Sequence, residues 1–483
     1  MMSWRGSGLG RGGPAYGRLG PVRQARSVRQ ARPGYGGLRP GGLRPGSGLR
    51  PGSGLRPGGG LRPGGLLRPG GGLPPGGLRR GGSGPGGLRP GGLRPGGLLR
   101  PRTWWQRAVA RRSALRRFDW VLMGAVLGLS LFGTLLVWSA TQHGLRHEGA
   151  DPQTYLKKQL LNIVIGLILL AGVSALDYRM LRIYAPVGYA LTCLGLLVVL
   201  SPVGSVVNGA HSWIALPGGF QAEPSEFAKV TLILMTAMIL GDLRDGDRRP
   251  RVRDLAMALA CGGVPLALVV AQPDLGVTIL MVVVLVGMIA LSGIRLRWLA
   301  GLGAVTALTG LVTWGLHLLK PYQVQRLTAF INPSADPRGT GYSAAQAKIA
   351  IGSGGLSGQG LFHGSLVAGN FVPEQHTDFI FAVAGEELGF IGTIAIIGLI
   401  AVLLIRSLRI AVRADDQFGL LVAAGIAIWF AIQAFINIGM TIGITPVTGL
   451  PLPFVSYGGS AMFADMIAIG VLQAVHRRHS VFD

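Results

Sequence analysis

The stretch from Phe371 to Gly389, Phe-Val-Pro-Glu-Gln-His-Thr-Asp-Phe-Ile-Phe-Ala-Val-Ala-Gly-Glu-Glu-Leu-Gly, sets a carboxylate, Asp378, where a long polar segment turns into an apolar helix. An ionisable group at a membrane boundary is expensive, so its default reading is functional. A helix N-terminus lowers a carboxyl pKa by less than about one unit, whereas desolvation raises it by up to roughly 3–5 units. In a dry site Asp378 is therefore a candidate general base. The competing role is a helix N-cap. Glu386 and Glu387 lie two turns deeper, about 12 Å by helical rise. Glu387 projects opposite Asp378, so the spacing does not suit a paired-carboxylate glycosidase.

Other residues bring charge to the same region. His376, two residues before Asp378, can orient or shuttle a proton or simply hydrogen-bond. Glu226 and Lys229 open an apolar run and, three residues apart, share a helix face. They read either as a neutralised pair pinning two helices or as part of a polar cavity. Asp274, in Gln272-Pro273-Asp274-Leu275-Gly276, sits at a tight turn and suits an N-cap. Arg326, Arg338 and Lys348 supply cations that suit phosphate. The segment from Gly439 to Ser460, with Pro446, Gly449, Pro451, Pro453, Gly458 and Gly459, interrupts what would be continuous helix. Such backbone at membrane depth is tolerated where it is buried or lines a cavity. No Walker loop, His-Glu-x-x-His or Cys/His metal spacing occurs, which argues against ATPase and zinc chemistry.

These residues need a membrane frame, and the composition supplies one. Of the 483 residues 49% are hydrophobic and only 14% charged. The formal charge of +26 belongs to a tail: residues 1–118 hold 24 of the 46 Lys and Arg and no acid, so the body is nearly neutral. From about Leu38 to Pro101 that tail repeats Gly-Leu-Arg-Pro-Gly, a composition that cannot offset the entropy of ordering. It is expected to be a disordered, solvated cytoplasmic tail; its arginines suit the anionic inner leaflet or non-specific RNA binding, and a translation start further downstream is the third alternative. Cys193 and Cys261 fall in apolar runs and read as buried thiols. No secretory signal peptide is visible, so the first apolar run is expected to stay as a signal anchor.

Ten apolar spans follow, at about 119–141, 157–176, 184–200, 225–241, 254–271, 275–292, 298–317, 378–405, 417–439 and 456–474. The expected fold is an all-α integral membrane bundle of ten transmembrane helices, 119–475, before a short cytoplasmic tail, 476–483. A large folded extracytoplasmic loop, 318–377, joins helices 7 and 8. Loops carrying Arg179 and Arg182, Arg244 to Arg253, Arg295 and Arg297, Arg406 to Arg413, and the end with Arg477 and Arg478 are expected inside. Loops 201–224, 272–274 and 440–455 carry no Lys or Arg, which faces them outward beside Asp378 and leaves both termini inside.

At these residues the chain resembles the SEDS (shape, elongation, division and sporulation) family. The matching stretches are Asn208-Gly209-Ala210 with Trp213-Ile214, Pro224-Ser225-Glu226-Phe227-Ala228-Lys229, Gln272 to Gly276, Ile351-Gly352-Ser353-Gly354-Gly355-Leu356, Pro373 to Phe381, and Pro451 to Phe454 with Ser456-Tyr457-Gly458-Gly459-Ser460. Leu176-Asp177-Tyr178-Arg179 is closer to the branch that serves elongation and cell shape. His211 and Ser212 stand where the family usually has basic residues before the tryptophan. The resemblance implies a peptidoglycan glycosyltransferase of the bacterial cytoplasmic (inner) membrane that polymerises lipid II. It also implies a class B penicillin-binding protein as transpeptidase partner, alongside other elongation-complex proteins. The family's essential aspartate falls on Asp378, and its Glu/Lys pair on Glu226 and Lys229.

The combined expectation is that Asp378 deprotonates the acceptor sugar hydroxyl while the pyrophosphate of an undecaprenyl-linked glycan leaves and the anomeric centre inverts. Arg326 and Lys348 offset the departing charge, a divalent cation (Mg2+ or Mn2+) being the one cofactor left open. Trp213, Asp274, His376 and Ser456 complete the expected cavity. A flippase for lipid-linked precursors, the division or sporulation paralogue, and a scaffold for the transpeptidase are the alternatives.

Overall fold

The computed structural model describes residues 118–479, apart from 148, 203, 208–209, 217–219, 243–249, 317–319 and 333–338. The arginine-rich tail, Asn208-Gly209, Arg244, Arg248, Arg249 and Arg338 lie outside the described residues.

Helices α1 (Trp120–His147), α2 (Thr154–Ala175) and α3 (Tyr178–Val199) come first. Three antiparallel strands follow, β1 (Gly204–Val207), β2 (Ala210–Leu216) and β3 (Phe220–Ala222), in the order β1-β2-β3. Ser205 pairs with Trp213, and Ala215 with Gln221. The sequence reading left 201–224 as a plain loop, so this sheet is an addition to the all-helical expectation. Next are α4 (Pro224–Gly241), α5 (Val252–Ala271), α6 (Leu275–Leu291) and α7 (Leu296–Gly315). The segment expected as a folded cap contains α8 (Pro321–Ile331), α9 (Thr340–Ser353) and the single turn α10 (Ser365–Ala368). The chain ends with α11 (Ile380–Val412), α12 (Gln417–Ile442) and α13 (Gly459–His479).

Among the described residues nine helices are long and apolar enough to cross a bilayer, and α6, at 17 residues, is a shorter apolar one. The centre is α12, which packs against α4, α6 and α11, while α2 lies along α13. At α7 none of the residues is buried. Ion pairs tie the arginine-bearing ends together: Arg406 Nη2 lies 2.6 Å from Asp119 Oδ2, and Arg182 Nη2 2.8 Å from Asp242 Oδ1.

Two interruptions of helix shape the other end. At Gly389, φ 67° and ψ −162° break α11, and the glycine run after α9 mends the break. Gln359 and Gly360 donate N–H to the carbonyls of Glu386 and Glu387, while Phe390 and Ile391 donate to Gly355 and Leu356. A Cβ on Gly389 would stand 2.2 Å from Gly358 N, so this crossing admits only glycine. Glu386, fully buried, accepts the N–H groups of Leu366 (2.7 Å) and Val367 (3.1 Å) and so fixes α10 to the break. Glu387 accepts the Ser139 hydroxyl at 2.5 Å.

The second interruption, Ile444 to Tyr457, is satisfied by side chains reaching into it. Asn437 donates to Leu450 O (2.8 Å), Gln433 to Pro451 O (2.8 Å) and Arg326 to Thr448 O (3.0 Å), while Asp465 accepts Phe454 N–H (3.3 Å). Non-helical backbone persists at membrane depth only when its polar groups are answered in this way.

Candidate functional site

The second interrupted segment, the sheet, α2, α8, the turn before α6 and the loop before α11 border a cavity of about 420 Å³ at one end of the bundle. Asp378 lines it. The loop that carries Asp378 is held at each residue. The N–H groups of Thr377, Asp378 and Phe379 all donate to Glu374 O at 3.1–3.2 Å, around a left-handed Glu374 (φ 50°). Gln375 is buried and donates to Ala140 O at 2.7 Å, and Asn437 donates to Asp378 O at 2.9 Å. Asp378 is not the N-cap of α11. That position is Phe379, and no side chain caps the helix. The capping role that competed for Asp378 in the sequence therefore falls away, and its carboxyl is left to the cavity.

Its surroundings set its acidity. Burial is the largest influence and pushes the Asp378 carboxyl up to about 7, with the Glu374 charge adding and the Arg326 guanidinium opposing. Gly449, at φ 80°, faces both groups: a Cβ there would stand 3.5 Å from Asp378 Oδ2 and 3.8 Å from Arg326 Nη1. A proton acceptor and a fixed cation thus border one small space.

Asp274 lines the cavity and is also an N-cap, accepting Val277 N–H at 3.0 Å. Burial raises its pKa, with the Val277 bond opposing. His376 and Trp213 also line the cavity. Burial lowers the His376 pKa, so the ring is neutral near pH 7. Its N–H and lone pair then serve hydrogen bonding rather than charge.

Four expected residues sit elsewhere. Glu226 and Lys229 form a 2.6 Å ion pair, 2% and 1% exposed, that does not reach the cavity surface. Lys229 also bonds Gln433 Oε1 at 3.1 Å and stands over the Trp429 ring at 4.8 Å, so the pair joins α4 to α12. Lys348 lies against Gly443 in a small neighbouring pocket that it shares with Arg326. Ser456 accepts Leu452 N–H at 2.7 Å and closes a turn.

The sequence reading missed Tyr155, Lys158, Asn162, Glu223, Tyr322, Glu374 and Tyr457, all of which line the cavity. For Tyr155, Lys158 and Asn162 a signal existed: polar residues three and four apart on an apolar helix share one face. Glu223, Asp274, Glu374 and Asp378 face the cavity, yet among the described residues no three His, Cys, Asp or Glu gather as a group able to hold a metal ion. Among the described residues the chain's own donors do not form a cage for a divalent cation.

Such a chain is a polytopic helical membrane protein with a desolvated carboxyl and a guanidinium at one mouth of its bundle. It belongs to the FtsW/RodA/SpoVE family of cell cycle proteins, which matches residues 119–481. The probable peptidoglycan glycosyltransferase FtsW of Trichlorobacter lovleyi is 38% identical over 367 residues, 74% of this chain and 93% of the relative. The peptidoglycan glycosyltransferase MrdB of Escherichia coli is 37% identical over 358 residues, again 74% and 93%. A solved structure from work on a peptidoglycan synthase complex that coordinates polymerization and crosslinking aligns with a TM-score of 0.62 at 30% identity, covering 75% of this chain and 98% of that one.

Proposed function

We propose that the protein is a peptidoglycan glycosyltransferase that polymerises lipid II with Asp378 as general base. The observation carrying this reading is the Asp378 carboxyl itself, free of any capping duty, open to a cavity, and raised by burial to about 7. A base in that range combines adequate ionisation with adequate driving force near neutral pH.

Asp378 takes the proton from the acceptor sugar hydroxyl as its oxygen forms a bond to the anomeric carbon of the lipid-linked strand. The bond from that carbon to the pyrophosphate breaks, the centre inverts, and the lipid pyrophosphate leaves with the electron pair. Arg326, beside Asp378 across Gly449, offsets the charge that develops on it. Asn437 and Gln375 keep the base in place. The loops without Lys or Arg make this mouth the outward one. A penicillin-binding protein is the fitting partner, because cross-linking consumes the strands made here. The elongation role rests on Leu176 to Arg179.

Purified full-length protein given lipid II in detergent, where a membrane has no two sides, is expected to make glycan polymer. Lipid scrambling in vesicles with no polymer in detergent would favour a flippase instead. Depletion in cells is expected to give rounded cells; filaments would move the protein to division.

A further inference from the structure

The reaction proposed above joins two substrates that each end in a lipid-linked pyrophosphate, yet Arg326 serves only one side of the cavity. The other side carries its own anion-binding elements. Tyr155, Lys158 and Asn162 lie on one face of α2, which packs along α13. Lys158 Nζ stands 5.9 Å from the Tyr155 ring centroid, and the Tyr155 ring packs at 5.0 Å against both His376 and Tyr457. Gly458 and Gly459, at the start of the 21-residue α13, border the same space. The first N–H groups of a helix have no partner within it and sit at its positive end, a setting that suits phosphate.

Asn162 gives the independent sign of a ligand. Its side chain is 2% exposed, lines the cavity, and its buried Oδ1 has no hydrogen-bond partner. It lies against the α13 N-terminus, with Oδ1 3.4 Å and Nδ2 3.6 Å from where a Cβ on Gly459 would be. A buried amide oxygen without a partner is costly, and turning the amide through 180° puts an NH₂ donor where that oxygen stands. Ser460 does not compete, since its hydroxyl already accepts Glu223 N–H at 2.9 Å and donates to Gln221 O at 3.2 Å. Glu223 does not repel an anion either. Burial, then the nearby Glu226 and Asp274, push its carboxyl well above the usual range, which favours the uncharged form.

We infer that Lys158, the Asn162 amide and the N-terminal N–H groups of α13 form a second phosphate site, which holds the pyrophosphate of the incoming acceptor while Arg326 faces that of the departing lipid. The loop from His376 to Asp378 runs between the two. His376 packs on the aromatic side and Asp378 faces Arg326, which leaves the acceptor sugar lying over the base.

The test separates the two substrates. Purified full-length protein transfers a labelled short lipid-linked glycan, the donor, onto unlabelled lipid II, the acceptor, with each varied in turn. Lys158→Gln is expected to raise the acceptor KM about 10-fold, the scale of one charge-assisted hydrogen bond, with the donor KM changed less than about twofold. Lys158→Arg restores most of the loss. Asn162→Asp, which sets a charge against the helix N-terminus, raises the acceptor KM further. Inorganic pyrophosphate should compete with the acceptor in the parent and more weakly in Lys158→Gln. Equal effects on both substrates, or an effect on the donor alone, would overturn the assignment. If the parent makes no polymer, the glycosyltransferase reading fails. Titration of inorganic pyrophosphate then still tests the site, through the loss of binding expected in Lys158→Gln and against an unchanged affinity.

Discussion

Removing the Glu374 charge should make the enzyme relatively faster in acid. Glu374 is the second influence, after burial, that lifts the Asp378 carboxyl to about 7. In general a unit charge acting across about 7 Å at an effective dielectric of about 40 is worth about 1.2 kcal/mol, just under one pKa unit. Glu374 is exposed, so salt and solvent reduce this to about half a unit. Glu374→Gln keeps an oxygen for the Thr377 hydroxyl, which now donates to Glu374 Oε2 at 2.9 Å, so the loop should stand. With the base moved from about 7 to about 6.5, its ionised fraction at pH 6 rises from about 9% to about 24%, while at pH 8 it is almost unchanged. A general base works deprotonated, so the acid limb of kcat/KM moves to lower pH. The ratio of the rate at pH 6 to that at pH 8 should rise two- to three-fold, whatever happens to the plateau. The assay is polymerisation of labelled lipid II in neutral detergent from about pH 5.5 to 9. Arg326→Gln should move the limb the opposite way, because the guanidinium holds the carboxyl down. A limb that stays put in both variants, or moves in the same direction in both, would refute the assignment of that limb to Asp378.

Three further outcomes follow from the packing. Gly449→Ala places a Cβ 3.5 Å from Asp378 Oδ2 on backbone at φ 80°. It should lower kcat by more than its roughly 1–2 kcal/mol of backbone strain explains, which a comparison of kcat with thermal stability will show. Asn437→Leu frees the carbonyls of Asp378 and Leu450 and should cost about 1–3 kcal/mol for each left unsatisfied; kcat should fall while KM barely changes. Lys229→Met strands the Glu226 carboxylate, 2% exposed, and should destabilise by about 3–5 kcal/mol. Replacing Glu226 with Gln in the same protein should recover most of that loss, as read by melting in detergent.

The spans were legible because apolar runs of bilayer length have few other fates. The expected 225–241 and 417–439 correspond to α4 at Pro224–Gly241 and α12 at Gln417–Ile442. The Glu226–Lys229 pair was readable from its spacing alone, though its contacts with Gln433 and Trp429 of α12 were not. The break in α11 was hidden because Gly389 sits in an otherwise helical run, and only the crossing of Gly358 reveals why the helix opens. The sheet escaped notice because its strands are three to seven residues long and pair within a single loop. Lys158 and Asn162 drew no reading: their shared face was visible in the spacing, but nothing local says that α2 lies along α13. Ser456 was the reverse error: a motif residue whose hydroxyl is spent on its own turn.

In this mechanism the Asp378 carboxyl takes the proton from the attacking hydroxyl. The most direct measurement is single-turnover polymerisation of lipid II by Asp378→Asn beside the parent, with both shown by melting to be folded. Asn keeps the shape and removes the base, so the rate should fall by about 10²–10⁴-fold and lose its acid limb near pH 7, while lipid II binding persists. Polymer formed within a few-fold of the parent rate, with the limb intact, would contradict it.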